Sequence, residues 1–400
     1  MRERALYVLL SFLFVLNGCS SQAELNELAV IVGLGIDLIK EDGKPMYQVT
    51  FQVIDPNQVG SPQNGGGSGI QIVNVSAKGR SLISAVRESA RNLSRRNFYA
   101  HASILLIGEE AARFGLEEIM DLVERDQSIR TNIPMVIAQH TTALRILNGL
   151  TALNKIPAQS VIGKLENTAE ILGENSKLLV HDFVSTVSMP GRNPVVSGIA
   201  AKGKASQTSK QAYVEQSHPH ASNVGGLGIF DNQAKLIGWL HHTDARAVLL
   251  ADNRVRFSAV SVPCGKKRGI HTEIGHAKAK KHVDMKQGRP EFHLDLYVEA
   301  EIEGIGCRSF EVASPKAVRQ LEQQVSRQLE KEMQHGFQTV QKMQSDVFGF
   351  GEWLYRNQPR VWKKYDQDWP RLFGQADLTV KVQTTIRRSG MIQNHYPLIQ

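Results

Sequence analysis

Residues 314–343 read SPKAVRQLEQQVSRQLEKEMQHGFQTVQKM. Ser314 suits the cap of a helix and Pro315 its first turn. Val318, Leu321, Val325, Leu329, Met333, Phe337, Val340 and Met343 then recur every three or four residues, which lines one side of a helix. The spacing predicts a helix of about thirty residues, ~45 Å long. A stripe of this kind is read as the core face of a helix lying on a sheet rather than as a partner-binding face. Strand-like runs stand on both sides of it. Residues 257–263 and 292–302 precede it, and residues 378–386 alternate apolar and polar positions after it.

The pattern changes further toward the N-terminus. Residues 28–39 form a long β-branched run, 46–54 alternate, and 70–77 resume as a strand after a Gly/Ser/Pro-rich loop at 60–69. Leu82, Val86, Ala90 and Leu93 fall on one helical face, 103–107 form a short buried strand, and Glu109 and Glu110 open a second helix. That helix has Ala112, Gly115, Ile119 and Leu122 as its apolar side, and 133–138 close the pattern as a strand. Mixed strands and helices predict a sheet with helices packed on it. Residues 195–199 read as a strand and 202–223 as a polar connection, while 227–230 and 235–240 flank the turn Asp231-Asn232-Gln233.

A 42% hydrophobic, 22% charged composition is that of ordinary globular protein, with core enough for two or three domains. The formal net charge of +8 calls for an anionic neighbour, phospholipid headgroups or wall polymer rather than nucleic acid. Eight of the basic residues lie between Cys264 and Pro290, against two acids. This run either faces anionic lipid or an acidic partner, or is a solvated hairpin with lysines on its edges, and the hairpin is the favoured reading. Nucleic-acid binding would want aromatic platforms among these charges, and only Phe292 stands near. After Cys19 only Cys264 and Cys307 remain; they either oxidise together, or stay as two unbridged core cysteines, which is the favoured reading.

The N-terminus carries its own signal. Arg2 and Arg4 precede an apolar run over 5–16, too short for the ~20 residues of a membrane span, so a removable signal peptide is expected. Leu16-Asn17-Gly18-Cys19 ends it and resembles the lipobox of bacterial lipoproteins, in which the cysteine takes a diacylglycerol. Two acyl chains anchor stably where one holds only marginally. Cys19 is therefore the expected lipidation site, and the rest a soluble body tethered at one end.

Catalytic motifs are sparse. Gly33-Leu34-Gly35-Ile36-Asp37 has two glycines of a dinucleotide loop, but Leu38 takes the place of the third and the run is strand-like. The chain contains no Walker loop, no His-Glu-x-x-His and no Gly-x-Ser-x-Gly elbow. His218, His220, His241 and His242 lack the cysteine or carboxylate set that zinc needs, so no metal or cofactor is expected. Arg125-Asp126 with Arg130 reads equally as structural ion pairing. Trp362 and Trp369, among Lys363, Lys364 and Arg371, either dock on a partner or headgroups or pack the long helix onto its sheet; the packing reading is preferred.

Asp346-Val347-Phe348-Gly349-Phe350-Gly351, followed by Pro359, Trp362-Lys363 and Trp369, resembles the C-terminal signature of the C-subunits of bacterial spore germination receptors. Leu25-Asn26-Glu27-Leu28 leading to Gly35-Ile36-Asp37 resembles the start of the mature family chain. Ala100-His101, Ile107 through Gly115, and Arg125-Asp126 with Arg130 resemble its first domain. Gly226 to Phe230 with Gly238-Trp239-Leu240 resembles the opening of its C-terminal region. One departure is His241-His242-Thr243-Asp244-Ala245-Arg246, where the family tends to carry an acid and then a glycine; the loop at 60–69 reads as a lineage-specific insertion.

The resemblance implies an α+β (mixed α/β) fold of three domains with mixed sheets and packed helices. The expected division is a signal peptide at 1–18, an N-terminal α/β domain at 19–150, a middle domain at 151–240 with 376–391, and a sheet-plus-long-helix domain at 241–375. In it the terminal strand returns to pair with the middle region around 195–240. The resemblance further implies a non-enzymatic, lipid-anchored subunit of a nutrient germinant receptor on the outer face of the spore inner membrane. Its implied partners are an A-subunit and a transporter-like B-subunit, with membrane lipid reached through Cys19. The competing reading is an extracytoplasmic solute-binding lipoprotein, a class built from two similar doubly wound lobes around a cleft.

Overall fold

The computed structural model describes residues 27–54, 72–149, 154, 156–203, 222–264, 268–307 and 310–388. Cys19, the loop at 60–69 and His218 with His220 lie outside these. The described strands are β1 (Leu28–Glu41), β2 (Lys44–Ile54), β3 (Ile72–Gly79), β4 (Arg96–Phe98), β5 (Leu105–Gly108), β6 (Met135–Gln139) and β7 (Val195–Ala201). They continue as β8 (Ser222–Phe230), β9 (Leu236–Leu240), β10 (Ser258–Pro263), β11 (Gly269–Lys286), β12 (Arg289–Ile305) and β13 (Asp377–Arg388). The helices are α1 (Leu82–Glu88), α2 (Glu109–Phe114), α3 (Glu117–Arg125), α4 (Ala143–Leu147), α5 (Pro157–Ile171) and α6 (Val180–Val187). They end with α7 (His242–Ala251), α8 (Pro315–Lys342), α9 (Phe350–Asn357), α10 (Pro359–Tyr365) and α11 (Trp369–Phe373).

Nine strands make one mixed sheet in the order β3-β2-β1-β5-β6-β7-β8-β9, with β4 added beside β1. Its centre is parallel, from β1 through β5 and β6 to β7. Parallel strands are buried on both faces, and β5 and β6 contain no exposed residue. Leu105, Ile107, Met135 and Ile137 face a core closed by Ala111, Ile119 and Phe183. Leu106, Val136 and Ala138 face a smaller one closed by Ile146, Val161 and Leu165. The helix expected from Glu109 onward breaks at Gly115, whose φ is 131°, so α2 and α3 meet at a corner.

The long helix is as its stripe predicts. In α8, Ser314 accepts a hydrogen bond from the Ala317 N–H, and Leu321, Val325, Leu329, Met333, Phe337 and Val340 are buried. They lie against Ile274, Val283, Phe292, Leu294, Leu296 and Val298 of a second sheet, ordered β10-β11-β12-β13. Trp362 and Trp369 pack into the same core, as the packing reading expects.

Two expectations are corrected. The terminal strand does not return to residues 195–240: β13 pairs in parallel with β12 from Glu291↔Asp377 to Ala300↔Ile386. Strands β7 to β9 instead extend the first sheet through β6. A parallel neighbour requires a long crossover, and α8 supplies it between β12 and β13. The side chains of α8 also cover the outer edge of β13. Glu322, Ser326 and Glu330, four residues apart, accept the N–H groups of Ile386, Thr384 and Val382 at 2.9 to 3.1 Å.

The second correction concerns Cys264 and Cys307, which form a disulfide with their Cα atoms 6.1 Å apart. Gly269 and Ile270 at the start of β11 pair with Pro263 of β10 on one side and Ile305 of β12 on the other. The flanking cysteines are thereby drawn together. From Gly269 onward the basic run is a hairpin, turning through Gln287-Gly288 at φ 51° and 81°, while Lys266 and Lys267 lie outside the described residues. Lys280 stands opposite Asp295, Lys286 pairs with Glu291 at 2.6 Å, and Lys281 points inward.

Closing a loop of this length constrains the unfolded chain, so Cys264→Ser with Cys307→Ser is expected to lower unfolding free energy by ~2–4 kcal/mol. Urea unfolding of the oxidised protein and the variant checks this. Equal midpoints would show that the bridge contributes no stability.

Candidate functional site

The signature residues converge on one buried carboxylate. Asp346 follows the end of α8 and is 1% exposed. Its Oδ1 accepts the N–H groups of Gly349 at 2.7 Å and Phe350 at 3.1 Å. Its Oδ2 accepts the Gly351 N–H at 2.7 Å and the Trp369 Nε1–H at 3.0 Å. Burial pushes this carboxyl above the usual carboxylate range, and the four donors oppose the push. The charge sits at the N-terminus of α9, where the helix dipole favours it. Gly349 takes φ 76° to make the turn, and a Cβ on Gly351 would lie 2.5 Å from both the Gly191 carbonyl and Trp369 Nε1. The ring of Phe350 stacks on Phe292 at 4.2 Å, and Trp369 meets Trp362 at 5.3 Å.

A loop leading into β7 docks on this turn. Gly191 accepts the Glu352 N–H at 3.0 Å, and Asn193 donates its N–H to the Asp346 carbonyl at 3.0 Å. The Asn193 Oδ1 accepts the Asp346 N–H in return at 2.9 Å. Beside it Arg192 binds Glu352 at 2.8 Å and also Asp252. Arg254 reaches the same Asp252 at 3.2 Å and Lys281 reaches it at 3.6 Å, while Lys281 donates to the Phe348 carbonyl. Burial opposes the charge on Arg192, yet Asp252 and Glu352 outweigh it and hold the guanidinium firmly protonated. Lys281 is less well compensated, and burial lowers its pKa. The network joins the first sheet, through the loop before β7, to α7, β11 and α9 of the second.

The early motif builds a matching device. Asp37, 1% exposed on β1, accepts the N–H groups of Ala143 at 2.7 Å and Leu144 at 3.0 Å, capping α4. Burial is the main influence on its carboxyl and raises its pKa. Ile36 pairs with Ile107, so the two resembling segments lie side by side. A Cβ on Gly108 would stand 2.1 Å from Asp37 Oδ1. Next to it Glu109 accepts the His140 N–H at 2.5 Å and Arg113 Nε at 2.9 Å. Burial works to raise its pKa, and these donors lower it overall.

The other singled-out residues are placed as follows. Arg125 binds Asp121 at 2.6 Å while Asp126 accepts the Ser128 N–H, so these two are not joined in one pair. The divergent segment seats the long helix: Arg246 donates to Glu332 at 2.6 Å, and Asp244 accepts from His335 and Thr339. His242 meets Glu174 at 3.2 Å. Among the described residues no three His, Cys, Asp or Glu side chains are grouped to hold a metal ion. Lys363, Lys364 and Arg371 are exposed. The residues of this network that sequence reasoning did not single out include Arg192, Asn193, Asp252, Lys281 and Glu352. Gly191-Arg192-Asn193-Pro194 carries a turn signal, but nothing local names its partners.

Comparison with known proteins places both motif groups inside matched spans. Residues 21–201 match the family model described as Spore germination protein N-terminal domain. Residues 225–390 match the one described as Spore germination B3/GerAC like, C-terminal. The chain is similar to Spore germination protein KC of Bacillus subtilis (strain 168), 29% identical with 98% of this chain and 96% of that one covered. It is also similar to Spore germination protein YndF of the same organism, 22% identical with 97% of each covered. The crystal structure of the GerBC protein shares the fold, with a TM-score of 0.53 and 15% identity over 89% of this chain and 98% of that one.

Asp346→Ala leaves four buried donors without an acceptor, each worth roughly 1–3 kcal/mol, so a loss of at least about 4 kcal/mol is expected. Trp369→Phe removes one donor and is expected to cost less than half as much. Paired urea titrations read both, and comparable losses would show that the carboxylate does not organise the turn.

Proposed function

Because the chain belongs to the spore germination family whose N- and C-terminal domain models it matches in tandem, we propose that it is the C-subunit of a nutrient germinant receptor. In this reading it is a lipid-anchored scaffold or signalling partner on the outer face of the spore inner membrane, with no chemistry of its own. It works with an A-subunit and a transporter-like B-subunit.

One observation carries the reading. The acidic and aromatic residues of the signature, Asp346 and Trp369, are engaged with each other and with backbone N–H groups inside the fold. They shape the turn on which Gly191 and Asn193, from the loop before β7, are docked, so the signature joins two sheets instead of facing a cleft, which is what a mechanical subunit needs. The Cys264–Cys307 disulfide suits a compartment outside the cytoplasm. No described helix is long and apolar enough to cross a membrane, and the proposed attachment is the diacylglycerol on Cys19.

In dormant spores carrying Cys19→Ala, the protein is expected to leave the membrane fraction and the response to a nutrient set to fail. Loss of anchoring with every nutrient response intact would sink the receptor reading. Isothermal calorimetry with amino acids and sugars is expected to give no saturable heat with this subunit alone. A saturable heat would favour the solute-binding alternative.

A further inference from the structure

The place where the folded body meets its tether is rimmed by arginines. Leu28, the first residue of β1, lies beside Arg96 in the parallel β1–β4 pair. Seven residues lie between Cys19 and Glu27, eight steps along the chain and a reach of at most ~29 Å at full extension. A lipid on Cys19 therefore holds this end of the nine-stranded sheet near the bilayer.

That end has a distinct chemistry. Residues 87–96 hold Arg87, Arg91, Arg95 and Arg96 against the single acid Glu88. The segment is fastened to the sheet: Asn97 Nδ2 donates to Ser89 Oγ at 3.2 Å, and Asn92 Nδ2 donates to the Ser76 carbonyl at 3.0 Å. Arg91 pairs with Glu88 at 2.8 Å. Arg87 and Arg96 are exposed, and neither has an ion pair among the described residues. Val73, 54% exposed, is the second residue of β3, which lies beyond β2 in the same sheet. The basic hairpin β11–β12 belongs to the other sheet, where Lys286 pairs with Glu291, Lys280 stands opposite Asp295 and Lys278 opposite Tyr297.

We propose that the rim formed by Arg87, Arg91 and Arg96 beside the start of β1 binds anionic phospholipid headgroups, adding an electrostatic contact to the lipid anchor and orienting the body on the membrane. Arginine guanidinium groups match phosphate oxygens in geometry, and a surface contact of this kind is the second signal that steadies a lipidated protein. The inference rests on the anchored-subunit reading, because the tether is what brings this rim to the bilayer.

The test uses a chain beginning at Ser20, which retains every described element and carries no lipid. It is mixed with vesicles of phosphatidylglycerol in phosphatidylcholine and with vesicles of phosphatidylcholine alone, and partition is read by sedimentation. Binding is expected to the anionic vesicles only. Arg87→Gln with Arg96→Gln is expected to weaken it roughly 30-fold, at the usual worth of a basic residue near a charged surface. Lys278→Gln with Lys280→Gln on the hairpin is expected to leave it within about twofold, the charges there lying away from the rim. Equal binding of the arginine variant, or equal binding to neutral vesicles, overturns the proposal. So does failure to bind either vesicle, and release of the arginine variant from the receptor complex would then assign the rim to a protein partner. The vesicle assay does not involve Cys19. Its failure leaves the anchor reading standing, and a membrane-bound Cys19→Ala chain would fail the anchor reading without touching this result.

Discussion

A carboxylate withdrawn from water must be met by donors, or the fold that buries it does not form. Asp346 is such a group, and the surrounding structure follows from its needs. Three of its donors are consecutive backbone N–H groups, which requires the chain to turn tightly into α9. The fourth is an indole, which fixes where α11 must sit. The turn leaves no room for a side chain at 351, because the Gly191 carbonyl occupies that space. One buried charge thus sets a helix start, a ring position and the approach of a loop from the other sheet.

The long helix plays the complementary part by using two of its sides. Its apolar stripe fills the core of the four-stranded sheet, and its polar residues at 322, 326 and 330 close the edge of β13. An uncovered edge strand invites pairing with another chain. Here the cover comes from the same helix whose length makes the parallel β12–β13 pair attainable. Arg246 adds a third contact, a buried pair with Glu332 that ties α7 to the polar flank. Removing one member of such a pair strands the other and typically costs 3–5 kcal/mol.

These features describe a body whose two sheets are coupled by charge at one seam. Arg192, Asp252, Lys281 and Glu352 come from four separate segments and share that seam. Ionic contacts in a partly dry environment keep their strength and their geometry. The turn that carries the signature residues lies against this seam and meets it through Gly191 and Asn193. The surface near the start of β1 has another character, with Arg87 and Arg96 exposed.

The sequence by itself determined what depends on local order. The stripe from Val318 to Val340 reported a helix with one buried side, and alternation in 46–54 and 378–386 reported strands with one apolar face. The motif from Asp346 to Trp369 was legible as a unit through resemblance, although not the work that Asp346 does. Only the tertiary structure decided what those faces meet. Periodicity states that Leu378 to Ile386 form a half-buried strand, but the choice of β12 as partner came from the crossover that α8 provides. Spacing left Cys264 and Cys307 open, and the register of β11 between β10 and β12 closed them. The donors for Asp37 lie more than a hundred residues away, and Arg192 meets Glu352 from 160 residues away. Contacts at such separations leave no local trace, because they form between groups that only the completed fold brings together.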